Sequence, residues 1–274
     1  MIRIENLAKK YGETIILDDI NLNIEDGEFV SIIGPSGCGK STLINIISGL
    51  SDKSSGSLVV DNEEITKPSI DRIMVFQNAA LFPWLTVYDN VAFGLKNITK
   101  NSEEIKKKVN NILKKVHLFK YKDKYPHELS GGMKQRVSIA RSIVMDPKIL
   151  LMDEPFSALD EQTRMLLHNE LQQIWIETKK TILFVTHNIR EAVKLSDRVI
   201  IMGTRPGRII DDIRISDAHP RQLNSPSLIA QEELVYKKLK DEIEKVAREE
   251  LGDEYELEKI NFSSDRDNVM GGGI

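Results

Sequence analysis

The chain has 274 residues, of which 41% are hydrophobic and 29% charged, with a formal net charge of −4. This length can bury the core of one large domain with a subdomain, and the negative charge disfavours a general nucleic-acid binder, which needs a basic surface. The uncharged apolar runs are far shorter than the roughly 20 residues that span a bilayer, and the N-terminus lacks an apolar signal core, so we expect neither a membrane anchor nor a signal peptide.

Apolar runs typical of buried strands alternate with helical patterns along most of the chain, which indicates an α/β domain with a mostly parallel sheet. The clearest predicted strands are residues 28–33, 149–153, 181–186 and 198–202. Residues 1 to about 30 contain short strands and the turn Glu25-Asp26-Gly27, so we predict an antiparallel β-edge at the start of the domain.

Between about residues 78 and 146 the strand signal disappears. Ser102-Glu-Glu-Ile has the pattern of a capped helix start, and apolar residues follow it at helical spacing, namely Val109, Ile112, Leu113 and Val116. The sequence therefore predicts a helical subdomain inserted between core strands. Its many lysines favour a solvated face opposite the apolar stripe.

The pattern changes again after about residue 215. Apolar residues keep helical spacing amid dense charge, at Leu228, Val235, Leu239, Ile243 and Val246. This predicts a C-terminal helical extension over residues 216–252, with one long surface helix that docks on a partner or, as we favour, on its own domain. We expect disorder in the polar, glycine-terminated tail at residues 253–274.

Residues 34–42, GPSGCGKST, carry a strong chemical signal, because they match G-x-x-x-x-G-K-[ST] between a predicted strand and a helical run. Glycines let backbone N–H groups turn towards phosphate oxygens, and the helix N-terminus adds partial positive charge. Lys40 would reach the β- and γ-phosphates, and the Ser41 hydroxyl would bind Mg²⁺. The strand-loop-helix context disfavours the alternative of a turn without a ligand. The candidate phosphate-binding residues are Gly34, Pro35, Ser36, Gly37, Cys38, Gly39, Lys40, Ser41 and Thr42.

The same loop holds the single cysteine, Cys38, which excludes an internal disulfide and fits a reducing cytosol. The dinucleotide fingerprint G-x-G-x-x-G does not occur in this loop, which disfavours an NAD-binding fold.

Two acidic residues follow one another at the end of the strand predicted at residues 149–153. Ligands bind at the carboxyl edge of such sheets, so Asp153 can orient the groups around Mg²⁺, and Glu154 can polarise an attacking water. Standing alone, the pair would favour a solvent-facing turn. A phosphate loop in the same chain favours the catalytic interpretation.

Three further polar residues lie beside predicted strands. His187 can hydrogen-bond a γ-phosphate or hold the attacking water, and the alternative is a structural hydrogen bond. Gln77 can bind Mg²⁺ through an amide that does not titrate. Tyr11 can stack on adenine, although its position alone favours a packed or surface tyrosine.

An apolar segment, LFPWLTV at residues 81–87, connects the predicted sheet to the helical insertion. Such a segment belongs either to the core or to a surface that binds a partner, and the sequence favours neither.

A second candidate anion site lies at residues 129–136, LSGGMKQR, where a serine and two glycines precede a helical run. The motifs Tyr11, GPSGCGKST, Gln77, LSGGMKQR, ILLMDE, SALD at residues 157–160 and His187 occur in the same order as in the ATP-binding subunits of ABC transporters. The sequence resembles this family over residues 1 to about 210. LSGGMKQR discriminates best, because other P-loop ATPases lack it.

The resemblance implies an α/β fold, namely a P-loop NTPase core with a mostly parallel sheet, an antiparallel β-edge subdomain and an inserted helical subdomain. The ABC ATPase domain would cover residues 1–215. ATP and Mg²⁺ are the implied cofactors, with Tyr11 on the adenine ring and Ser41 and Gln77 as Mg²⁺ ligands. Asp153 would act on the metal through water.

The resemblance also implies that Glu154 is the catalytic carboxylate and His187 the switch histidine. In the family two ATPase domains pack head to tail, and LSGG of one covers the γ-phosphate held by the other. Asp160 resembles the residue that communicates across this dimer. The candidate residues that would cover the partner's ATP are Ser130, Gly131, Gly132 and Gln135.

Partners follow from the same resemblance. These 274 residues contain one copy of each motif, so we expect a second ATPase subunit, an integral-membrane permease and, indirectly, a substrate-binding protein, but no nucleic acid. The expected location is the cytoplasmic face of the membrane.

Residues 81–95 and 202–209 are similar to importers for nitrate, sulfonates and taurine, a subfamily that also imports pyrimidine vitamin precursors. Import of another small solute is therefore one alternative. A soluble ABC ATPase of DNA repair or iron–sulfur assembly is another, although repair ATPases need a long coiled-coil insertion and assembly ATPases have different partner surfaces.

Overall fold

The computed structural model describes residues 1–222 and 225–251. The strands in this part of the chain are β1 (Ile2–Tyr11), β2 (Thr14–Ile24), β3 (Phe29–Ile33), β4 (Ser55–Val60), β5 (Glu63–Glu64), β6 (Arg72–Val75), β7 (Ile149–Asp153), β8 (Thr181–Val185), β9 (Arg198–Gly203) and β10 (Arg208–Arg214). The α-helices are α1 (Lys40–Ser48), α2 (Val87–Ala92), α3 (Leu95–Ile98), α4 (Ser102–Lys115), α5 (Gly131–Ile143), α6 (Glu161–Thr178), α7 (Ile189–Leu195) and α8 (Pro226–Leu251). Two 3-10 helices, Phe119–Tyr121 and Pro126–Glu128, lie between α4 and α5.

The central sheet has six strands in the order β10-β9-β3-β8-β7-β6, and β10 alone of the six runs antiparallel to its neighbour. Phe29 of β3 packs on the α6 side of the sheet, whereas Val30 and Ile32 pack on the α1 side. Because both faces are covered, the strands are continuous apolar runs. For this reason the sequence predicted β7 correctly and placed the boundaries of β3, β8 and β9 within one residue.

A second, antiparallel sheet in the order β2-β1-β4-β5 covers α1 from the other side. Its first two strands have 10 and 11 residues, so the expectation of short strands here was wrong. Register shifts interrupt the pairing of β1 with β2, which hides their length from a simple alternation of apolar residues. The antiparallel β-edge itself is present, as predicted.

Helices α2 to α5 occupy the segment between β6 and β7. The N-cap of α4 is Asn101 rather than the predicted Ser102, since the Asn101 side chain accepts hydrogen bonds from the N–H groups of Glu103 and Glu104, both at 3.2 Å. Val109 and Leu113 of α4 are fully buried. The neighbouring lysines are exposed, and Lys108, for example, pairs with a glutamate one turn earlier on the same helix.

The long helix α8 docks on its own domain. Leu228, Val235 and Leu239 are buried against Ile33 of β3 and Ile201 of β9. The disorder predicted for residues 253–274 concerns a segment outside the described residues. No helix within residues 1–222 and 225–251 is long and apolar enough to cross a bilayer.

Candidate functional site

The candidate residues converge because parallel strands end at a common edge of the central sheet. The loop at residues 34–42 follows β3, and Gln77 lies two residues beyond β6. Asp153 and Glu154 lie at the end of β7, and His187 follows β8. We call residues 34–42, Asp153, Glu154 and His187 the catalytic edge.

The loop at residues 34–42 wraps around the side chain of Lys40. Lys40 is 7% exposed, and its ammonium group donates to the carbonyl oxygens of Gly34 and Pro35 at 2.8 and 2.9 Å. Gly39 has a φ of 93°, and a Cβ atom there would lie 2.6 Å from a methyl group of Leu17, so this position needs glycine. The loop therefore presents a positive charge and a helix N-terminus to the same small space, which suits a phosphate group.

Cys38 lies in this loop, but its side chain is fully buried in the core beneath it. Burial raises the pKa of the thiol, although Lys40 lies nearby and partly opposes this effect. A phosphate could therefore contact Cys38 through the backbone only. The exposed residues at the mouth of the loop are Ser36, Gly37 and Ser41.

Ser41 and Asp153 form the oxygen-rich part of the edge. The Ser41 hydroxyl donates to Oδ1 of Asp153 at 3.1 Å. Burial raises the pKa of the Asp153 carboxyl, so a bound cation would offset the cost of its charge. Hydroxyl and carboxylate oxygens are the ligands that Mg²⁺ prefers.

Gln77 is exposed two residues beyond β6, the strand that pairs with β7. Among the described residues, no group of three or more His, Cys, Asp or Glu side chains forms a metal site. A magnesium ion at Ser41 and Asp153 would therefore need further oxygen ligands, as nucleotide phosphates and water provide.

Glu154 and His187 are in direct contact, with 3.1 Å between Oε2 and Nδ1. Glu154 has a φ of 45°, a left-handed conformation that is uncommon for residues with a side chain. Its N–H donates to the carbonyl oxygen of Val185 at 2.9 Å, which fixes the backbone beside the end of β8. The carboxylate and the imidazole thus lie together at the same edge of the sheet as the loop, where both could orient a water molecule.

Ser130 is the N-cap of α5, and its hydroxyl oxygen accepts a hydrogen bond from the Met133 N–H at 3.3 Å. Ser130 and Gly131 are exposed, whereas Gly132 is buried and packs so closely on α6 that a Cβ atom would lie 2.3 Å from the Thr163 methyl group. The exposed first turn of this helix is suited to an anion that comes from outside the chain.

Gln135 lies one turn further along α5 than its exposed start, and it is buried. Its side chain is 3% exposed and donates to the carbonyl oxygen of Phe76 at 3.3 Å, next to Gln77. This contact joins the LSGG helix to the end of β6.

Asp160 is the N-cap of α6, and it accepts a hydrogen bond from the Thr163 N–H at 2.9 Å. This backbone hydrogen bond holds the pKa of the Asp160 carboxyl below its usual value. Asp160 is exposed at the surface.

Tyr11 ends β1 with 57% of its surface exposed, and the Lys9 ammonium lies 4.7 Å from the centre of its ring. A ring in this position can receive a second planar group on its surface.

The apolar segment at residues 81–87 contributes partly to the core and partly to the surface. Val87 is fully buried, whereas Trp84 is 71% exposed. Phe82 lies beside Trp84 and Phe93, with ring centres 5.8 and 4.5 Å apart. The buried side chain of Asn90 fixes this loop through hydrogen bonds to the N–H and carbonyl groups of Phe82. We call Phe82, Trp84 and Phe93 the aromatic patch.

Sequence patterns did not single out three residues behind the catalytic edge. Arg164, Thr186 and Glu191 form a connected group there, with Thr186 Oγ1 and Glu191 Oε2 only 2.5 Å apart. The position of Thr186 next to His187 was the only signal in the sequence. Arg164 and Glu191 are separated by 27 positions and resemble ordinary charged helix residues.

A phosphate loop, two carboxylates at the end of β7 and a histidine after β8 define a P-loop ATPase. The family model described as ABC transporter matches residues 17–157. An uncharacterized ABC transporter ATP-binding protein of Methanocaldococcus jannaschii is 47% identical over 88% of this chain and 92% of that protein. The chain therefore belongs to the ABC transporter family, as an ATP-binding subunit that hydrolyses ATP.

The aliphatic sulfonates import ATP-binding protein SsuB of Bacillus cereus is 46% identical over 80% of this chain and 86% of that protein. A dimeric ATP-binding cassette in a post-hydrolysis state, bound to ADP and Pi, has a TM-score of 0.70 and 35% identity over 80% of this chain and 100% of that chain. A Clostridium perfringens cassette, part of the ABC transporter complex cbiONQ, has a TM-score of 0.74 and 32% identity over 91% of this chain and 98% of that chain. These similarities confirm the predicted fold class.

Proposed function

We propose that this protein powers the import of a small oxyanion or sulfonate through a separate permease, as a dimer at the cytoplasmic face of the membrane. The observation that carries the proposal is the distribution of the site over two surfaces of one chain. The catalytic edge, together with Gln77 and Tyr11, would bind and cleave ATP but would leave the γ-phosphate without a cover. The exposed Ser130 and Gly131 are suited to provide that cover to another copy.

ATP would bind with its phosphates in the loop at residues 34–42 and its adenine ring on Tyr11. The Lys40 ammonium, which now donates to two carbonyl groups, would turn to the β- and γ-phosphates. Ser41, Gln77 and Asp153 would hold Mg²⁺, which supplies positive charge that stabilises the phosphate oxygens during transfer.

Glu154 would accept a proton from the water whose oxygen attacks the γ-phosphorus. The bond from that phosphorus to the bridging oxygen of ADP breaks in the same step. His187, in contact with Glu154, would hydrogen-bond the γ-phosphate and so place it against the attacking water.

A second subunit would complete the site. Ser130 and the N–H groups of Gly131 and Gly132, at the start of α5, would bind the γ-phosphate held by the partner. Asp160, exposed at the start of α6, would contact the partner as well. ATP would draw the two subunits together, and its hydrolysis would weaken their contact, so that the cycle does mechanical work.

The aromatic patch is the surface that we assign to the permease. Trp84 and Phe93 are exposed, large and apolar, and the hydrogen bonds of Asn90 hold the loop in this shape without any partner. A preformed surface of this kind loses little conformational entropy on binding.

The proposed substrate class rests on the sulfonate importer relatives and on the similarity of residues 81–95 and 202–209. Uptake by this protein and its permease in lipid vesicles, loaded with ATP, tests it directly. Labelled sulfonates, taurine and nitrate would be compared with a pyrimidine vitamin precursor. Uptake of the pyrimidine alone would replace the anion with the alternative substrate, and failure to copurify with any permease would favour a soluble ATPase.

A further inference from the structure

A buried carboxylate joins two loops behind the catalytic edge. Glu191, in the first turn of α7, is 5% exposed. Three side chains surround its two oxygen atoms, and they are Arg164 and His168 of α6 and Thr186 after β8. Such a group is held firmly, because a buried charge is stable only with its partners in place.

The first arm of this cluster leads to His187. The Thr186 hydroxyl donates to Oε2 of Glu191 at 2.5 Å and accepts a hydrogen bond from the Asn188 N–H at 3.0 Å. The Asn188 side chain in turn accepts a hydrogen bond from the Glu191 N–H at 3.2 Å. Glu191 therefore fixes both residues that flank His187 in the chain.

The second arm leads to the loop at residues 157–160, SALD. The Arg164 guanidinium lies 3.5 Å from Oε1 of Glu191. It also donates to the carbonyl oxygen of Leu159 at 2.7 Å and to that of Phe156 at 3.4 Å. Arg164 thus ties the backbone on both sides of Ser157 and Ala158 to the same carboxylate.

His168 strengthens this arm. Its Nε2 atom lies 3.2 Å from Oε1 of Glu191, and its ring packs edge-on against Phe156 with the ring centres 5.2 Å apart. It is 4% exposed, so its polar contact with Glu191 lies inside the protein. The loop before α6 is therefore bound to Glu191 through both a charge and a packed ring.

We infer that Glu191 and Arg164 are positioning residues that couple the SALD loop to His187 within one chain. The inference rests on the proposed function, in which the SALD loop contacts the second subunit and His187 contacts the γ-phosphate. A shift of residues 157–160 on dimer formation moves Arg164, Arg164 moves Glu191, and Glu191 moves the backbone on both sides of His187. Binding of the second subunit thereby changes the position of His187 relative to the γ-phosphate.

The test uses Glu191→Gln, Arg164→Gln, the double variant, and Glu232→Gln as control. Gln at position 191 keeps an acceptor for Thr186 but loses the charge that attracts Arg164. Glu232 pairs with Arg190, the neighbour of Glu191 in the chain, at 3.4 Å, and it touches neither loop through that contact. The control therefore removes a carboxylate beside α7 without loosening the cluster.

Hydrogen exchange of the nucleotide-free protein is the first measurement. Arg164→Gln should speed exchange of the Asn188 amide, although the contacts that connect Arg164 to Asn188 run through Glu191, partly by way of Thr186. Glu191→Gln should speed exchange of the Leu159 amide, which donates to the Phe156 carbonyl oxygen. Glu232→Gln should change neither amide.

Steady-state hydrolysis by the full-length protein is the second measurement. Each single variant should lower kcat by about tenfold, because a slightly misplaced catalytic group reacts more slowly. KM for ATP should stay within about twofold, since the phosphate loop is intact. The double variant should be no slower than either single variant, because both changes break one link.

The inference is wrong if each substitution speeds exchange only in the loop that it touches, or if the two effects on kcat multiply. If Glu191→Gln fails to fold, the exchange rate of the Asn188 amide in Arg164→Gln still tests the inference. The exchange measurement needs neither hydrolysis nor a dimer. Its failure is therefore distinct from failure of the proposed function, which Glu154→Gln tests separately.

Discussion

The catalytic edge and the exposed start of α5 are built in opposite ways. Within the catalytic edge, each charged group is already bound by another group of the same chain, as Lys40 is by two carbonyls and Asp153 by Ser41. Ser130 and Gly131, by contrast, stand exposed at the surface. The aromatic patch, with Trp84 71% exposed, resembles this second kind of region.

This difference separates the groups proposed to act on ATP within one chain from the surfaces proposed to bind partners. The chain alone can preorganise the groups that we propose to cleave ATP, because strand ends and short hydrogen bonds fix them. We assign the cover for the phosphates to the second subunit. Substitutions in the first region should therefore affect each subunit by itself, whereas substitutions in the second should act through partners.

The largest effect is expected for Glu154→Gln, which tests the chemical region. The amide cannot accept a proton from water, so kcat should fall by at least about 100-fold. ATP binding should persist, and the ATP-bound variant should elute as a dimer in size-exclusion chromatography. Hydrolysis at the parental rate would refute the role of Glu154.

Mixing two inactive variants tests whether the start of α5 acts on another chain. Lys40→Ala and Ser130→Arg should each abolish hydrolysis. In a mixed pair, the intact loop of one chain meets the intact LSGG of the other, so about a quarter of the parental activity should return if half the pairs are mixed. A mixture without recovery would argue that both motifs serve the same chain.

Trp84→Ala tests the aromatic patch. Binding of the permease should weaken by at least about tenfold, because exposed tryptophans often dominate interfaces. ATP hydrolysis by the isolated protein should not change. Ile70→Ala, which removes another exposed apolar side chain, is the matched control and should affect neither property. Equal effects of both substitutions would remove the assignment of this patch to the permease.

The smallest expected effect is a gain in stability from Asp153→Asn. Because the folded state raises the pKa of this carboxyl, it binds the proton more tightly than the unfolded chain does. The charged carboxyl therefore lowers the free energy of unfolding at pH values above the raised pKa. This loss of stability disappears as the pH falls through that pKa. Solvent partly screens the group, so the free energy of unfolding should rise by no more than about 1 kcal/mol, or roughly 2–4 °C in Tm.

Asp160→Asn is the control. A hydrogen bond from the Thr163 N–H lowers the pKa of Asp160, so the charge of this carboxyl stabilises the folded state. Thermal unfolding without nucleotide, measured at neutral pH, should show a gain for Asp153→Asn only. A lower Tm for this variant would mean that the charge of Asp153 stabilises the fold.

The sequence predicted those parts of the molecule that local patterns encode. The strand β7 was predicted correctly because buried parallel strands are short apolar runs, and the loop around Lys40 because its glycines have fixed spacing. The cluster at Glu191 could not be predicted in this way. Its members come from α6, α7 and the end of β8, and only the fold brings them together.

Local contacts also decide two details that the sequence pattern does not contain. Asn101 caps α4 although Ser102 fits the sequence pattern, since the asparagine side chain reaches two N–H groups at once. Gln135 turns inward to Phe76, a choice that no spacing rule contains. Both outcomes depend on geometry that a single sequence does not specify.

The docking of α8 has a practical consequence for where the chain can be cut. Its apolar residues cover Ile33, which directly precedes the phosphate loop, and Glu242 accepts a hydrogen bond from the Thr204 N–H at 3.0 Å. A protein shortened at residue 215 would retain every ATPase motif but expose this apolar surface to water. We expect such a fragment to aggregate on expression, so residues up to 251 belong to the smallest stable unit.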